Sequence, residues 1–170
     1  LKLSGGAAIA DAGVIRMASG TTLDLTGSSE TIGLLSNNTA GGTVTSSVGG
    51  AVTVTTGVEA NSTFAGVIQD GSGTVALTKQ GSGVFTLSGA NTYGGDTTIT
   101  AGTLRLGAAN VIPDGAGKGN VSVAGTLDLN TFSETINGLS GGGTVDTVAG
   151  GTPTLTVGNN NATSTFSGVI

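Results

Sequence analysis

The sequence predicts an all-β protein, and its features favour a solenoid, that is, a rod of stacked coils. Short runs of β-favouring residues alternate with glycine-rich turns, the chain contains a long internal repeat, and the apolar residues are mostly small aliphatics. Aromatic residues make up 3% of the 170 residues while glycine supplies 33, so any core has to be thin. A thin aliphatic core repeated many times suits a solenoid better than a compact globule.

The strand candidates are runs in which apolar residues alternate with polar ones. In residues 22–25 (TLDL) the two leucines share one face and Asp24 takes the other. The turns between runs are too short for crossover helices, which leaves hairpin sandwiches or a parallel β-helix, and we predict no helix. The side chains placed inside are Leu23, Leu25, Ile32, Val44, Val52, Val54, Phe64, Ile68, Leu77, Phe85, Leu87, Ile99, Leu104, Leu106, Leu127, Leu129, Ile136, Val145, Leu155, Val157, Phe166 and Ile170.

The chain repeats itself at offsets of 102 to 104 residues. Residues 1–3 (LKL) correspond to 104–106 (LRL), 22–25 to 126–129 (TLDL in both), 29–32 to 133–136 (SETI in both), and 62–68 (STFAGVI) to 164–170 (STFSGVI). We therefore expect a single β-solenoid over residues 1–170, with one unit at 1–103 and a second, truncated unit at 104–170. Each unit should hold roughly four or five coils, and so long a repeat favours the β-helix over a sandwich.

The stretch from residue 63 to residue 107 resembles the passenger-associated transport repeat of bacterial autotransporters. The matching segments are 64–68 (FAGVI), 77–79 (LTK), 81–83 (GSG), 87–93 (LSGANTY), Gly95, Thr97 and 101–104 (AGTL), which include the single tyrosine of the chain. The resemblance implies a right-handed parallel β-helix in a secreted passenger, and a repeat that assists passage across the outer membrane. It implies nothing about what the passenger binds.

Composition and charge exclude several classes of function. Five Lys and Arg against ten Asp and Glu give a net charge of −5, and the pI is near 4.2, so we expect no nucleic acid partner. The longest purely aliphatic run, residues 7–10, is far shorter than the ~18 residues of a membrane-spanning helix. The absence of cysteine is compatible with export through an oxidising periplasm. Because the sequence starts and stops inside predicted strands, we expect it to be a piece of a longer protein.

Few residues offer catalytic or metal-binding chemistry. Without histidine or cysteine, neither a Ser-His-Asp nor a Cys-His site can be built, nor can a usual zinc site. Two carboxylate pairs, Asp24 with Glu30 and Asp128 with Glu134, occupy the same places in the two units. We interpret these pairs as a solvated face of the scaffold rather than as a catalytic site. Three further acids beside glycine are interpreted as turn residues: Asp70, Asp96 and Asp114.

Three other motifs also have structural interpretations. Residues 141–146 (GGGTVD) resemble a calcium-binding glycine turn, but a threonine replaces one glycine and no tandem copies follow. Four Asn-x-Ser/Thr triplets begin at Asn37, Asn61, Asn120 and Asn161, and chance explains them in a chain this rich in Asn, Ser and Thr. Four Thr-x-Thr pairs begin at Thr43, Thr53, Thr98 and Thr154; their spacing follows no fixed coil period, so we expect exposed strand positions and no continuous array of hydroxyls.

Together these features predict a non-catalytic segment of an autotransporter passenger, displayed on a Gram-negative cell surface or secreted, that serves as a stalk or adhesive surface. We expect no cofactor, metal or catalytic residue, and partners among the glycans or proteins of host or neighbouring cells. Membrane attachment is expected only through a C-terminal barrel outside this segment. The alternatives are a carbohydrate-binding or carbohydrate-cleaving β-helix, which could use Tyr93, and then an ice-binding or other structural solenoid. Because both ends cut through the repeat, an isolated segment should associate end to end.

Overall fold

The computed structural model describes residues 1–5, 7–37, 40–58 and 60–170. None of these residues is helical, so no helix in the described chain is long and apolar enough to cross a membrane. The strands, in chain order, are β1 Val14–Met17, β2 Thr22–Asp24, β3 Glu30–Ile32, β4 Leu34–Asn37, β5 Thr43–Thr45, β6 Ala51–Thr56, β7 Ser62–Phe64, β8 Val67–Ile68, β9 Thr74–Lys79, β10 Val84–Leu87, β11 Thr97–Ile99, β12 Thr103–Leu106, β13 Val121–Val123, β14 Thr126–Asp128, β15 Glu134–Ile136, β16 Leu139–Ser140, β17 Thr144–Asp146 and β18 Leu155–Val157.

Each coil has three faces, which the chain visits in a fixed order. The first face holds β2, β5, β8, β15 and β18, the second holds β3, β6, β9, β11, β13 and β16, and the third holds β1, β4, β7, β10, β12, β14 and β17. All the strand pairs of the described chain are parallel. The prediction of an all-β solenoid of stacked parallel coils is confirmed, with about seven turns.

Coil length varies, and the corners absorb the variation. Val121 pairs with Leu139, 18 residues further on, whereas Thr43 pairs with Val67, 24 residues further on. Adjacent parallel strands lie ~4.8 Å apart, so every coil adds the same rise whatever its corner length. The rod therefore keeps its strands stacked in register while its turns differ in sequence and size.

The core is one cluster of aliphatic and aromatic side chains that runs along the rod, with contributions from all three faces. Eighteen of the 22 side chains that the sequence places inside are buried, from Leu23 through to Val145. The prediction is wrong for the last coil: Leu155 and Phe166 are only partly buried, while Val157 is 45% exposed and Ile170 83% exposed. No further coil stacks over these residues within the chain, so the inward direction of their side chains does not suffice to bury them.

The sequence repeat does not contain a whole number of coils. β2 and β14 carry the same TLD sequence in the two units, yet β2 lies on the first face and β14 on the third. Along the first face, four steps of one coil each lead from β2 through β5, β8 and Asn91 to Val111. From Val111 the chain passes along the second face and reaches β14 on the third, which is a further two-thirds of a coil. Equivalent residues therefore lie four and two-thirds coils apart, on different faces. The division into units at 1–103 and 104–170 itself stays a prediction.

Two faces have breaks in their backbone ladders. On the first face no ladder joins β8 to β15, and on the third face β4 packs against β7 although the two strands belong to separate sheets. The second face is continuous from β3 to β16. Buried polar side chains bridge the first break, and a surface groove marks the second.

Truncating a core side chain in the middle of the rod should destabilise it strongly. Leu87 in β10 is fully buried, so Leu87→Ala should lower the free energy of unfolding by about 2–5 kcal/mol through lost contacts and the cavity left behind. Val148 is 62% exposed, and Val148→Ala should change it by no more than about 0.5 kcal/mol. Urea unfolding followed by circular dichroism measures both; similar losses for the two variants would contradict the assignment of the core.

Candidate functional site

Asp24, which the sequence placed on the solvated face, is buried at a corner of its coil. Its Oδ1 accepts the backbone N–H of Thr26 at 3.0 Å and that of Ser47, in the next coil, at 2.9 Å. Hydrogen bonds from the hydroxyl and N–H of Ser47, and then from Thr26, hold the pKa of Asp24 below its usual range. Lys2 in the preceding coil lies 3.9 Å from the other carboxylate oxygen but is itself 79% exposed. The carboxylate thus joins consecutive coils.

Asp128, the equivalent residue of the second unit, repeats this arrangement. Its Oδ1 accepts the N–H of Asn130 at 2.8 Å and that of Val148, in the next coil, at 3.2 Å. Arg105 of the preceding coil replaces the lysine, and its Nε lies 2.6 Å from Oδ2 of Asp128. Asn130 has a φ of +56°, and Thr26 at the equivalent place has +47°. The carboxylate therefore stabilises a tight corner in a left-handed backbone conformation.

Glu30 and Glu134 hold a second kind of corner, and both are buried. The two carboxylate oxygens of Glu30 accept the N–H groups of residues 8 and 9, each at 2.9 Å. Those of Glu134 accept the N–H groups of residues 111 and 112 at 3.2 and 2.8 Å. Burial raises the pKa of Glu134 to about 7, although hydrogen bonds from the backbone of residues 110–112 act to lower it. The charge of Asp114 also raises this pKa.

The expectation that the carboxylate pairs form a solvated face is therefore wrong. Asp24 and Asp128 end their strands, where the alternation of inward and outward side chains stops and the acid accepts N–H groups of the turn. Glu30 and Glu134 begin their strands on the inward side, as the alternation itself requires, and accept N–H groups of the preceding coil. Asp24 lies on the first face and Glu30 on the second, whereas Asp128 lies on the third and Glu134 on the first. The structure does not assemble either pair into one site.

Lys79 is a buried cation that sequence reasoning missed, although the alternation that places Leu77 inside puts Lys79 on the same side of β9. Its ammonium group donates to the carbonyl oxygens of Gln80 at 2.7 Å, Gly81 at 2.8 Å and Ala101 at 3.1 Å, with that of Gly57 at 3.4 Å. Burial lowers its pKa to about 8. Gly57 has a φ of +83°, and a Cβ there would lie 2.6 Å from Cδ of Lys79, so the corner requires glycine.

Asn91 and Tyr93 are also internal. Asn91 accepts the N–H of Ile68 at 2.8 Å and donates to the carbonyl of Val111 at 2.8 Å. It therefore bridges the break between β8 and β15 on the first face. The hydroxyl of Tyr93 lies 2.7 Å from that of Thr97, and only 1% of the tyrosine is exposed. Burial raises the pKa of the Tyr93 phenol. Tyr93 is therefore no platform for a sugar ring, which removes the one aromatic side chain that the carbohydrate-binding alternative had named.

The acids beside glycine all take part in corner hydrogen bonds. Asp70 accepts the N–H of Val75 at 2.7 Å and Asp96 accepts that of Asn120 at 2.7 Å, while Asp114 accepts the side-chain amide of Asn159. In the calcium-like segment 141–146, the carboxylate of Asp146 accepts the N–H of Thr147 at 2.6 Å. Of the four Asn-x-Ser/Thr triplets, the one at 37–39 lies partly outside the described residues. The described residues contain no cluster of three or more metal-ligating side chains.

A row of hydroxyls runs along the second face, which the spacing of the Thr-x-Thr pairs did not predict. Strand register brings one hydroxyl residue from each of six successive coils into line: Thr31, Thr55, Thr78, Thr98, Ser122 and Ser140. All six are partly exposed. Beside this row Thr53 pairs with Ala76, so the hydroxyls form a single file and not the two-dimensional array that an ice-binding plane would need.

The third face carries a groove of about 440 Å³ where β4 meets β7. It crosses β1, β4, β7, β10 and β12, and an outward residue of each strand lines it: Arg16, Ser36, Thr63, Thr86 and Arg105. Both arginines of the chain therefore lie along one groove, with hydroxyl residues between them. Sequence reasoning missed this feature because the residues come from five coils of unequal length.

Comparisons with known proteins identify the repeat. Residues 77–106 match the model of the passenger-associated transport repeat. The chain has the repeat and the β-helix of an autotransporter passenger. The adhesin BmaC autotransporter of Brucella suis biovar 1 (strain 1330) is 37% identical over 111 residues, which are 64% of this chain and 3% of that protein. No solved structure gives a significant match.

The resemblance noted in the sequence is thus confirmed for residues 77–106, and the relative that the chain matches is an autotransporter adhesin. Within the passenger repeat, four polar residues of the motif point inward: Lys79, Asn91, Tyr93 and Thr97. Each makes at least one hydrogen bond inside the rod. These polar residues of the motif therefore serve the packing and hydrogen bonding inside the rod rather than an exposed surface.

A buried corner acid should contribute far more to the free energy of unfolding than an exposed acid in the same row. Asp128 pairs in register with Asp146 of the next coil, but Asp128 is fully buried and Asp146 is exposed. Asp128→Asn should weaken bonds to two N–H groups and Arg105, and lower the free energy of unfolding by about 1–3 kcal/mol. Asp146→Asn should change it by about 0.5 kcal/mol or less. Chemical unfolding compares the variants; an equal, small effect would contradict the corner role.

Glu134 should make the stability of the passenger segment depend on pH. Its pKa in the folded chain, about 7, lies above its ordinary value of 4.5, so the folded state binds the proton more tightly than the unfolded state. The contribution of Glu134 is therefore complete below pH 4.5 and is lost as the pH rises to about 7. Thermal unfolding across this range should show a falling midpoint that flattens in Glu134→Gln. The exposed control Asp146→Asn should keep the slope, and an unchanged slope in Glu134→Gln would contradict the assignment.

Proposed function

We propose that this chain is a non-catalytic stalk segment of an autotransporter adhesin, whose folding coil upon coil assists the export of the passenger. The observation that carries the proposal is the burial of the transport-repeat residues in a parallel stack whose second face is continuous. The name of the related adhesin supports the adhesive part of the proposal. The chain spans 3% of that relative, so the activity and partners of the whole protein belong to the proposal.

The contacts of the repeat residues explain how folding would assist export. Lys79 binds carbonyls of its own coil and Ala101 of the next, and Asn91 connects Ile68 to Val111 across three coils. The bonds to Ala101 and Val111 form only when the following coil is in place, so neighbouring coils hold each other as they stack. A chain that folds in this way outside the cell cannot slide back, and its folding free energy favours outward movement.

Absence of catalysis is part of the proposal, and the geometry of the acids supports it. The four paired carboxylates are buried at corners and occupied by backbone N–H groups or an arginine, so they face no cleft that could hold a substrate. General acid and base residues have to reach the substrate within hydrogen-bond distance. The carbohydrate-cleaving alternative has no support in these positions.

The partners remain a proposal as well. We infer host or neighbouring-cell glycans or proteins, no nucleic acid, and attachment to the membrane only through a barrel outside this segment. End-to-end association of an isolated segment also remains proposed. An apolar pocket of about 320 Å³, lined by Leu129, Val145, Leu155, Val157 and Ile170 among others, opens at the last coil and supports it.

The export proposal is tested by removing the buried cation of the transport repeat. In bacteria that display the passenger, Lys79→Met should leave several carbonyls without a donor, destabilise the rod by about 1–3 kcal/mol and lower the amount of folded passenger at the surface. The matched control is Lys118→Met, because the Lys118 ammonium lies at the surface and donates to the carbonyl of Thr92. Protease-resistant passenger on intact cells is the measurement.

Two outcomes would contradict the proposal. Equal amounts of protease-resistant passenger at the surface for the Lys79 and Lys118 variants would mean that the repeat does not assist export. Hydrolysis of polysaccharide or peptide substrates by the purified 170-residue chain, lost in Asp24→Asn or Asp128→Asn, would overturn the non-catalytic assignment. Attachment of beads coated with the chain to a cell layer tests the adhesive part.

A further inference from the structure

The groove of the third face contains an unusual share of the chain's positive charge. Of the five basic residues, Lys79 is buried, Lys2 pairs with Asp24 and Lys118 lies away from the groove lining, whereas Arg16 and Arg105 both line the groove. The rest of the molecule is acidic, with a net charge of −5. A groove with two guanidinium groups on such a surface attracts anions locally.

Both arginines keep donors for a ligand. Arg16 is exposed and has no ion pair within the described residues. Arg105 is 35% exposed; Asp128 holds its Nε at 2.6 Å, and its two terminal nitrogens make no hydrogen bond within the described chain. A guanidinium fixed in this way presents a planar pair of N–H donors, the geometry that binds a carboxylate through both of its oxygens.

The positions between the arginines are suited to sugar hydroxyls. Register pairs Arg16 with Ser36, Thr63 with Thr86, and Thr86 with Arg105, so the row reads Arg, Ser, Thr, Thr, Arg along the rod. Four strand spacings of ~4.8 Å separate its ends by about 19 Å, which is long enough for an oligosaccharide and too long for a single sugar.

The groove also contains a group whose hydrogen-bonding capacity is not used. Asn61 accepts the N–H of Val84 at 2.8 Å through its Oδ1, and its amide nitrogen donates to no group of the described chain. The lining has no aromatic side chain and offers only Leu34 and Val84 as apolar contacts, so it lacks the anchors that a peptide would need.

We propose that this groove binds a carboxylate-bearing oligosaccharide that lies along the rod axis. Arg16 and Arg105 bind carboxylates near the two ends, and the hydroxyl and amide groups of Ser36, Asn61, Thr63 and Thr86 contact the sugar hydroxyls between them. The proposal rests on the adhesive role proposed above and supplies the chemical class of its ligand. It uses the break between β4 and β7, which leaves the polar groove open instead of a closed ladder.

Calorimetric titration of the 170-residue chain with an oligomer of galacturonic acid tests the site. The same oligomer, fully methyl-esterified, keeps the hydroxyls and lacks the charge, and should bind at least about tenfold more weakly. Arg16→Gln should weaken binding of the charged oligomer by about tenfold, since Arg16 supports no other group of the described chain. Lys118→Gln removes one positive charge elsewhere and should leave the affinity unchanged. Binding should also weaken as salt is raised.

Four results would overturn the site. Equal affinity for the charged and esterified oligomers would remove the role of the arginines, and equal losses in Arg16→Gln and Lys118→Gln would indicate non-specific attraction. Tighter binding of poly-glutamate than of the oligomer would assign the groove to acidic peptide. If the chain attaches to cells but does not bind the oligomer, the groove proposal fails and the adhesive role stands. If it binds the oligomer through Arg16 but mediates no attachment, the groove proposal stands and the adhesive role fails.

Discussion

The corners of the coils impose the constraint on which the rest of this structure depends. A strand of a parallel β-helix pairs its backbone with the coils above and below, but at a corner the N–H and C=O groups turn away from the ladder while remaining inside the rod. An unpaired buried backbone group costs about 1–3 kcal/mol, so the corners have to be satisfied by side chains. Here Asp128 and Glu134 accept corner N–H groups, whereas Lys79 donates to corner carbonyls. Asn137 does both, since it accepts the N–H of Gly115 and donates to three carbonyls.

This use of charge limits what remains for function. The chain has fifteen Asp, Glu, Lys and Arg residues, and its described part buries five of them: Asp24, Glu30, Lys79, Asp128 and Glu134. The acids that sequence reasoning compared with a catalytic pair are therefore structural, and the stability of the rod becomes sensitive to pH through Glu134. The side chains left for recognition are the outward ones on the flat faces, where the same residue position recurs at each coil.

Period-two alternation predicted the strands and most of the core, because inward aliphatic positions such as Leu87 depend only on local strand geometry. The internal repeat favoured the β-helix over a sandwich, and the resemblance to the transport repeat decided between them. The buried acids were mispredicted, since Asp24 follows the alternation rule in sequence but lies at a corner where that rule ends. Rows of side chains were also beyond sequence reasoning. Thr78 and Thr98 meet across 20 residues while Thr98 and Ser122 meet across 24, and no constant period reveals that alignment. The groove of Arg16 and Arg105 was missed for the same reason.

The mismatch between the repeat and the coil explains how a repetitive chain can present a site that is not repeated. If a unit contained a whole number of coils, Lys2 and Arg105 would lie on one face and the surface of one unit would recur in the next. Because a unit spans four and two-thirds coils, Lys2 lies on the first face and Arg105 on the third, although both contact an equivalent aspartate. The corner bonds therefore recur with the sequence, while the neighbours of each outward residue change. Arg16 of one unit and Arg105 of the next can then share a groove that neither unit encodes alone.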